Sequence, residues 1–147
     1  MIRGERMPSF DQVKWQPISQ LPLIGSMIDG ALNDTRDHLR TLTEAHGRPH
    51  VLDDATIDRV ERVHQEQLAF VDIYAEQLRR WRGERPPAAQ QQELHRLEQQ
   101  NSRLRQATRD VLDLAAELRR GTIDRILEYS DLELGLRALL GTRSPRC

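Results

Sequence analysis

The sequence predicts an all-α protein. Aromatic residues make up only 4% of the 147 residues and glycine is scarce, a composition that disfavours β-sandwiches and barrels. Apolar residues recur at three and four spacing over long stretches, and helix start and stop signals bound those stretches. The expected architecture is an elongated antiparallel three-helix bundle running up, down and up, with two short C-terminal helices packed on it.

Residues 1–18 mix charge, Pro8, Pro17 and isolated aromatics without a period, so they read as a partly ordered arm anchored by Trp15. Residues 19–141 form the bundle and 142–147 a flexible tail. The first helix starts near Leu21, where Pro22 suits a first turn because its missing N–H costs nothing there. Ile24, Ile28, Leu32, Thr35, Leu39 and Leu42 share one face, and Gly47 with Pro49 ends the helix near His46. Gly25 and Gly30 each cost about 1 kcal/mol relative to alanine, so a close crossing by another segment is expected at that turn.

Asp53 or Asp54 caps the second helix. Its stripe of Ile57, Val60, His64, Leu68, Val71, Leu78 and Trp81 persists to Arg82, where Gly83 and Pro86-Pro87 stop it. The third helix opens at Pro87 or the alanines after it. It carries Leu94, Leu97, Asn101, Leu104, Thr108, Val111, Ala115 and Leu118 in heptad register and is expected to end at Gly121. Thr122 then caps a short helix, and Ser130-Asp-Leu-Glu133 has the form of a capping box for a second one.

A heptad seam raises the alternative of a parallel zipper. With Leu94 and Asn101 at a, the g-to-e′ pairs would be Glu93 with Glu98 and Gln100 with Arg105, one repulsive and one weak. Ala107, Leu112 and Leu114 widen the stripe beyond a and d, so it must face more than one helix. The seam therefore belongs inside a bundle. Asn101 and Thr108 become core polar residues that fix register.

Charge excludes some partners. The formal net charge is -1 with 31% charged residues, so there is no global field for nucleic acid, and a nucleic-acid-binding regulator is the least favoured function. Lys14 is the only lysine, a bias that points to a GC-rich bacterial genome. No apolar run reaches the roughly 20 residues of a membrane helix, and the N-terminus lacks a secretory core, so the expected location is the cytoplasm. Cys147 reads as a tail thiol without a partner.

Polar residues on apolar faces are where chemistry would sit. Glu61 and His64 form Glu-x-x-His, a spacing that puts a carboxylate and an imidazole on one helix face, and His38 on the first helix could approach the same layer. The spacing is similar to half of the ferritin-like di-iron pattern. The matching place on the third helix, however, reads Gln92-x-x-His95, and no long fourth helix follows. The ordinary reading of His64 is a core histidine hydrogen-bonded within the bundle; the sharper one makes Glu61, His64 and His38 ligands of iron or zinc. His46 and His50 read as solvated loop histidines and His95 as solvent-facing.

Arg79, Arg80, Arg82 and Arg85 surround Trp81 at the end of the second helix, where cations complement the macrodipole. Trp and Arg dominate interface hot spots, so Trp81, Arg79, Arg80 and Arg82 form the expected partner patch. No glycine-rich phosphate loop or activated nucleophile is recognisable. The favoured function is a non-catalytic adaptor or accessory subunit with a protein partner and a homodimeric state; a metal or cofactor bundle is the alternative.

Overall fold

The computed structural model describes residues 10–48 and 52–140, and within the last helix the side chains of 122–134, 137, 138 and 140 are left aside. Among the described residues the chain is helical and has no strand. Helix α1 spans Leu21–His46, α2 Asp54–Gly83 and α3 Ala88–Leu140, preceded by two single 3-10 turns at Phe10–Gln12 and Ile18–Gln20. At 1.5 Å per residue these helices are about 40, 45 and 80 Å long. Among the described residues no helix is long and apolar enough to cross a membrane.

Local chemistry sets the first boundaries. Pro22 lies in the first turn of α1, and the chain leaves the helix at Gly47. Asp53 caps α2 by accepting a bond of 2.9 Å from the Thr56 backbone N–H. Between α2 and α3, Arg85 adopts a left-handed φ of 55°. Its N–H donates to the Arg82 carbonyl at 3.1 Å, so a position that usually takes glycine closes the end of α2.

The third helix departs from expectation. It does not stop at Gly121; the stretch assigned to two short helices continues α3 to Leu140. A glycine inside a helix costs only about 1 kcal/mol, and Thr122 and Ser130 can occupy helix interiors, so the start signals at these residues are overruled. The tail 142–147, with Cys147, lies outside the described residues, as does His50.

α3 packs against both α1 and α2. Along α1 and α3 the paired residues advance together: Asp29 binds Arg96 at 2.9 Å and His46 lies 3.4 Å from Glu117. Along α2 and α3 they run in opposite senses: Arg82 binds Glu98 at 2.7 Å, Arg105 binds Asp72 at 2.6 Å, and Arg119 meets Asp58 and Glu61. Gly25 marks a close crossing of α1 and α3, since a Cβ there would stand 3.3 Å from Leu97 Cδ1 and from Glu93 Oε2. Gly30 is different: nothing lies within 4 Å of its absent Cβ, so the expected crossing involves only one of the two glycines.

The core is layered. One apolar cluster joins Leu21, Ile28, Leu78, Trp81, Leu94 and Leu97, and a second joins Leu32, Val71, Leu104 and Ala107. Asn101 separates them in the α3 heptad. Thr35, His64 and Thr108 follow, and buried Leu42, Ile57, Val111 and Ala115 close the far end. The α3 seam from Leu94 to Ala115 is thus buried within this chain.

Candidate functional site

Apart from Gln77, which meets the N-terminal segment, the buried polar residues fall into three layers. Nearest the Trp81 end, the Asn101 amide donates to the Val71 carbonyl of α2 at 3.0 Å, while its Oδ1 is buried without a partner. Two turns further, Gln67 joins all three helices: its Nε2 donates to Thr35 Oγ1 and to Thr108 Oγ1, both at 2.8 Å. Each hydroxyl still donates to a carbonyl of its own helix, Thr35 to Ala31 at 2.7 Å and Thr108 to Leu104 at 2.6 Å. Every hydrogen in the knot is therefore used, which a buried polar cluster needs to avoid destabilising the core.

The third layer holds the two histidines. His64, 3% exposed, places Nδ1 2.8 Å from the Val60 carbonyl and Nε2 3.4 Å from Nδ1 of His38 on α1. The rings meet edge to face, with centroids 5.3 Å apart. A carbonyl only accepts, so His64 Nδ1 must carry the proton that Val60 receives, and in the neutral ring Nε2 then holds a lone pair that accepts from His38 Nδ1. Burial pushes the His64 pKa down; the Val60 bond opposes that shift, and the charge of His38 adds to it.

Beside the pair a cleft of about 290 Å³ opens between the end of α1 and the start of α2. Leu42, Leu52, Val60 and Val63 give it apolar walls, with Thr41, Thr56 and Arg59 on its polar side.

The third member of the expected ligand set goes elsewhere. Glu61 accepts from Arg119 of α3 at 2.6 Å, with Asp58 on the same guanidinium. The structure thus brings His38 and His64 together and draws Glu61 away, because a cation from a helix distant in sequence competes for the carboxylate. Among the described residues no group of three His, Cys, Asp or Glu side chains is placed to share one ion. His46 pairs with Glu117, and His95 is exposed beside Gln99.

The residues of the expected partner patch lie at the other end of the bundle, with the tryptophan inside and the arginines on the surface. Trp81 is 0% exposed: its indole N–H donates to the Gln16 carbonyl at 2.8 Å, and the Gln16 N–H donates to Gln77 Oε1 at 2.7 Å. The incoming segment covers the tryptophan and reads both of its own backbone groups out to α2. Trp15, the expected anchor, lies under Arg80, whose guanidinium carbon is 4.3 Å from the ring centroid. Arg79 and Arg80 both bind Glu76, at 2.5 and 2.9 Å, and Arg82 binds Glu98.

Exposed apolar side chains occur along the body of the bundle, at Leu23, Met27, Val63 and Phe70, and on the distal part of α3, where Leu136 is 48% and Leu139, the most exposed of them, 84% exposed. The described cross-helix ion pairs furthest along α3 are at Glu117 and Arg119, and the helix runs about 30 Å beyond them. No protein-family model, curated protein or solved structure matches this chain.

Proposed function

We propose that this chain is a non-catalytic helical-bundle protein that acts through protein contact, as an adaptor or accessory subunit, and that its distal α3 carries the contact. In this reading an up-down-up body holds one long helix, and the stretch of that helix past Arg119 is the part offered to a partner. The observation that carries it is the exposure of Leu136 and Leu139 on a helix that runs about 30 Å past Arg119. Ile123, Ile126, Leu127, Leu132, Leu134 and Leu140 give the same stretch an apolar composition. Burying one leucine is worth roughly 1.5 to 3 kcal/mol, a large return for pairing such a helix.

A second copy of the chain is the partner committed to here, since a surface present on every copy can pair about a two-fold axis. Native mass spectrometry with light scattering tests it. The full chain is expected to be a dimer that the double substitution L136E/L139E converts to a monomer with unchanged helical circular dichroism. A wild-type monomer at tens of micromolar, or a dimer that survives L136E/L139E, overturns the reading.

A further inference from the structure

We propose that His38 and His64 form a two-imidazole zinc site at the floor of the cleft between α1 and α2. Three observations support it independently of the distal α3. The first is distance: two imidazole nitrogens bound to one tetrahedral zinc at about 2.0 to 2.1 Å lie roughly 3.3 Å apart, and His38 Nδ1 and His64 Nε2 are 3.4 Å apart. Two cis ligands of a square-planar ion would be nearer, at roughly 2.9 Å, so the spacing suits zinc better than copper(II).

The second is orientation. Metal-bound histidines generally donate their other ring N–H to a carbonyl or carboxylate, which fixes the tautomer and aims the lone pair. The Val60 carbonyl does this for His64, with Nδ1 at 2.8 Å, and packing holds the ring in place. In the free protein the His64 lone pair accepts the Nδ1 hydrogen of His38. Zinc replaces that hydrogen, which moves to Nε2 of His38, so neither ring changes its net protonation.

The third is access. His38 is exposed and both rings line the 290 Å³ cleft, so an ion can enter and keep open positions toward it. With no third protein carboxylate, thiolate or imidazole among the described residues, water or an incoming anion fills those positions. Arg59 lines the same cleft. Its charge opposes a bare dication and favours an anionic exogenous ligand, so the site is an open one that takes a donor from outside.

Zinc chloride titrated into the purified full-length chain, followed by calorimetry and native mass spectrometry, tests this. One zinc per chain is expected, with affinity reduced at least tenfold by H38A and unchanged by H95A. The imidazole nitrogen resonances of His38 Nδ1 and His64 Nε2 should shift on zinc addition, with Nδ1 of His64 still protonated. H38Q serves as a second variant should H38A lose helicity. No binding at 100 μM zinc, or binding that both His38 variants leave intact, overturns the assignment.

Discussion

Replacing Asn101 by leucine should stabilise the protein by about 1 to 2 kcal/mol. Asn101 sits in the α3 seam between Leu97 and Leu104, and its Oδ1 is buried without a partner. An unpartnered buried acceptor costs about 1 to 3 kcal/mol, and a single neutral hydrogen bond returns about 0.5 to 1.5 kcal/mol. The bond lost in the variant is the one to the Val71 carbonyl, which retains its place in the α2 ladder. Leucine adds apolar burial of under about 2 kcal/mol, and a groove of about 390 Å³ beside Asn101 takes up the longer branch, which limits overpacking. With a urea slope of about 2 kcal/mol per molar, the middle of the usual range, the midpoint of denaturation should rise by roughly 0.5 to 1 M at unchanged slope. The alanine variant, which removes the same polar atoms but fills no space, should fall between wild type and leucine. A leucine midpoint below that of wild type would refute the reasoning, since it would require Oδ1 to be well partnered in solution.

Two further predictions concern sites the structure treats unequally. G25A should destabilise, because its Cβ would crowd Leu97 and Glu93 at 3.3 Å, whereas G30A, with open space around it, should gain about 0.5 to 1 kcal/mol from helix propensity; thermal melts of both separate the cases. The folded pKa of His64 lies below the unfolded value near 6.5. Between those two values the unfolded chain binds more protons, so this contribution is complete above about pH 6.5 and is lost as pH falls toward the folded pKa. Denaturation midpoints measured from pH 7.5 to 5 should decline in wild type and lose that component in H64L, distinct from the carboxylate losses of Asp29 and Glu93, whose pKa values Arg96 lowers and which appear below about pH 4.5. Equal declines in wild type and H64L would sink the second claim.

Short-range chemistry was legible in the sequence and long-range competition was not. Gly47 after His46 and Asp53 before Thr56 mark helix ends by local bonding, and the structure places both boundaries there. Gly121 is a local stop signal of the same kind, yet α3 passes through it, because the strength of a stop depends on what the following residues gain elsewhere. Trp81 carried two opposing signals: arginine neighbours suggested a surface, and its place three residues after Leu78 on the apolar stripe suggested the core. The stripe prevailed, and the covering segment around Gln16, 65 residues away, had no mark in the α2 sequence. Spacing alone points Glu61 toward His64. Its actual partner, Arg119, is 58 residues further along, and nothing near Glu61 announces it. His38 needed a cross-helix register before it could be matched to His64, and the heptad on α3 gives no information about how α1 lies against α2.

The polar layers have a consequence for where α3 is covered. Apolar layers repeating every seven residues tolerate a heptad slip, since leucine replaces leucine against much the same surface. The polar ones do not. Sliding α3 by one heptad toward its N-terminus would bring Ala115 to the level of Gln67 in place of Thr108, removing an acceptor that the amide uses at 2.8 Å. The same slip would set Thr108, instead of Asn101, against the Val71 carbonyl, and it would part Arg105 from Asp72 and Arg119 from Asp58 and Glu61. Each loss is modest, but all occur together, so one register is selected out of several that the apolar pattern alone would allow. With the register fixed at Asn101, Thr108 and Arg119, the position along α3 of the described cross-helix ion pairs is fixed too. The unsatisfied Oδ1 of Asn101 thus has an effect at the other end of the helix: stability given up in the middle of the seam helps determine how much of α3, with Leu136 and Leu139, extends beyond those pairs.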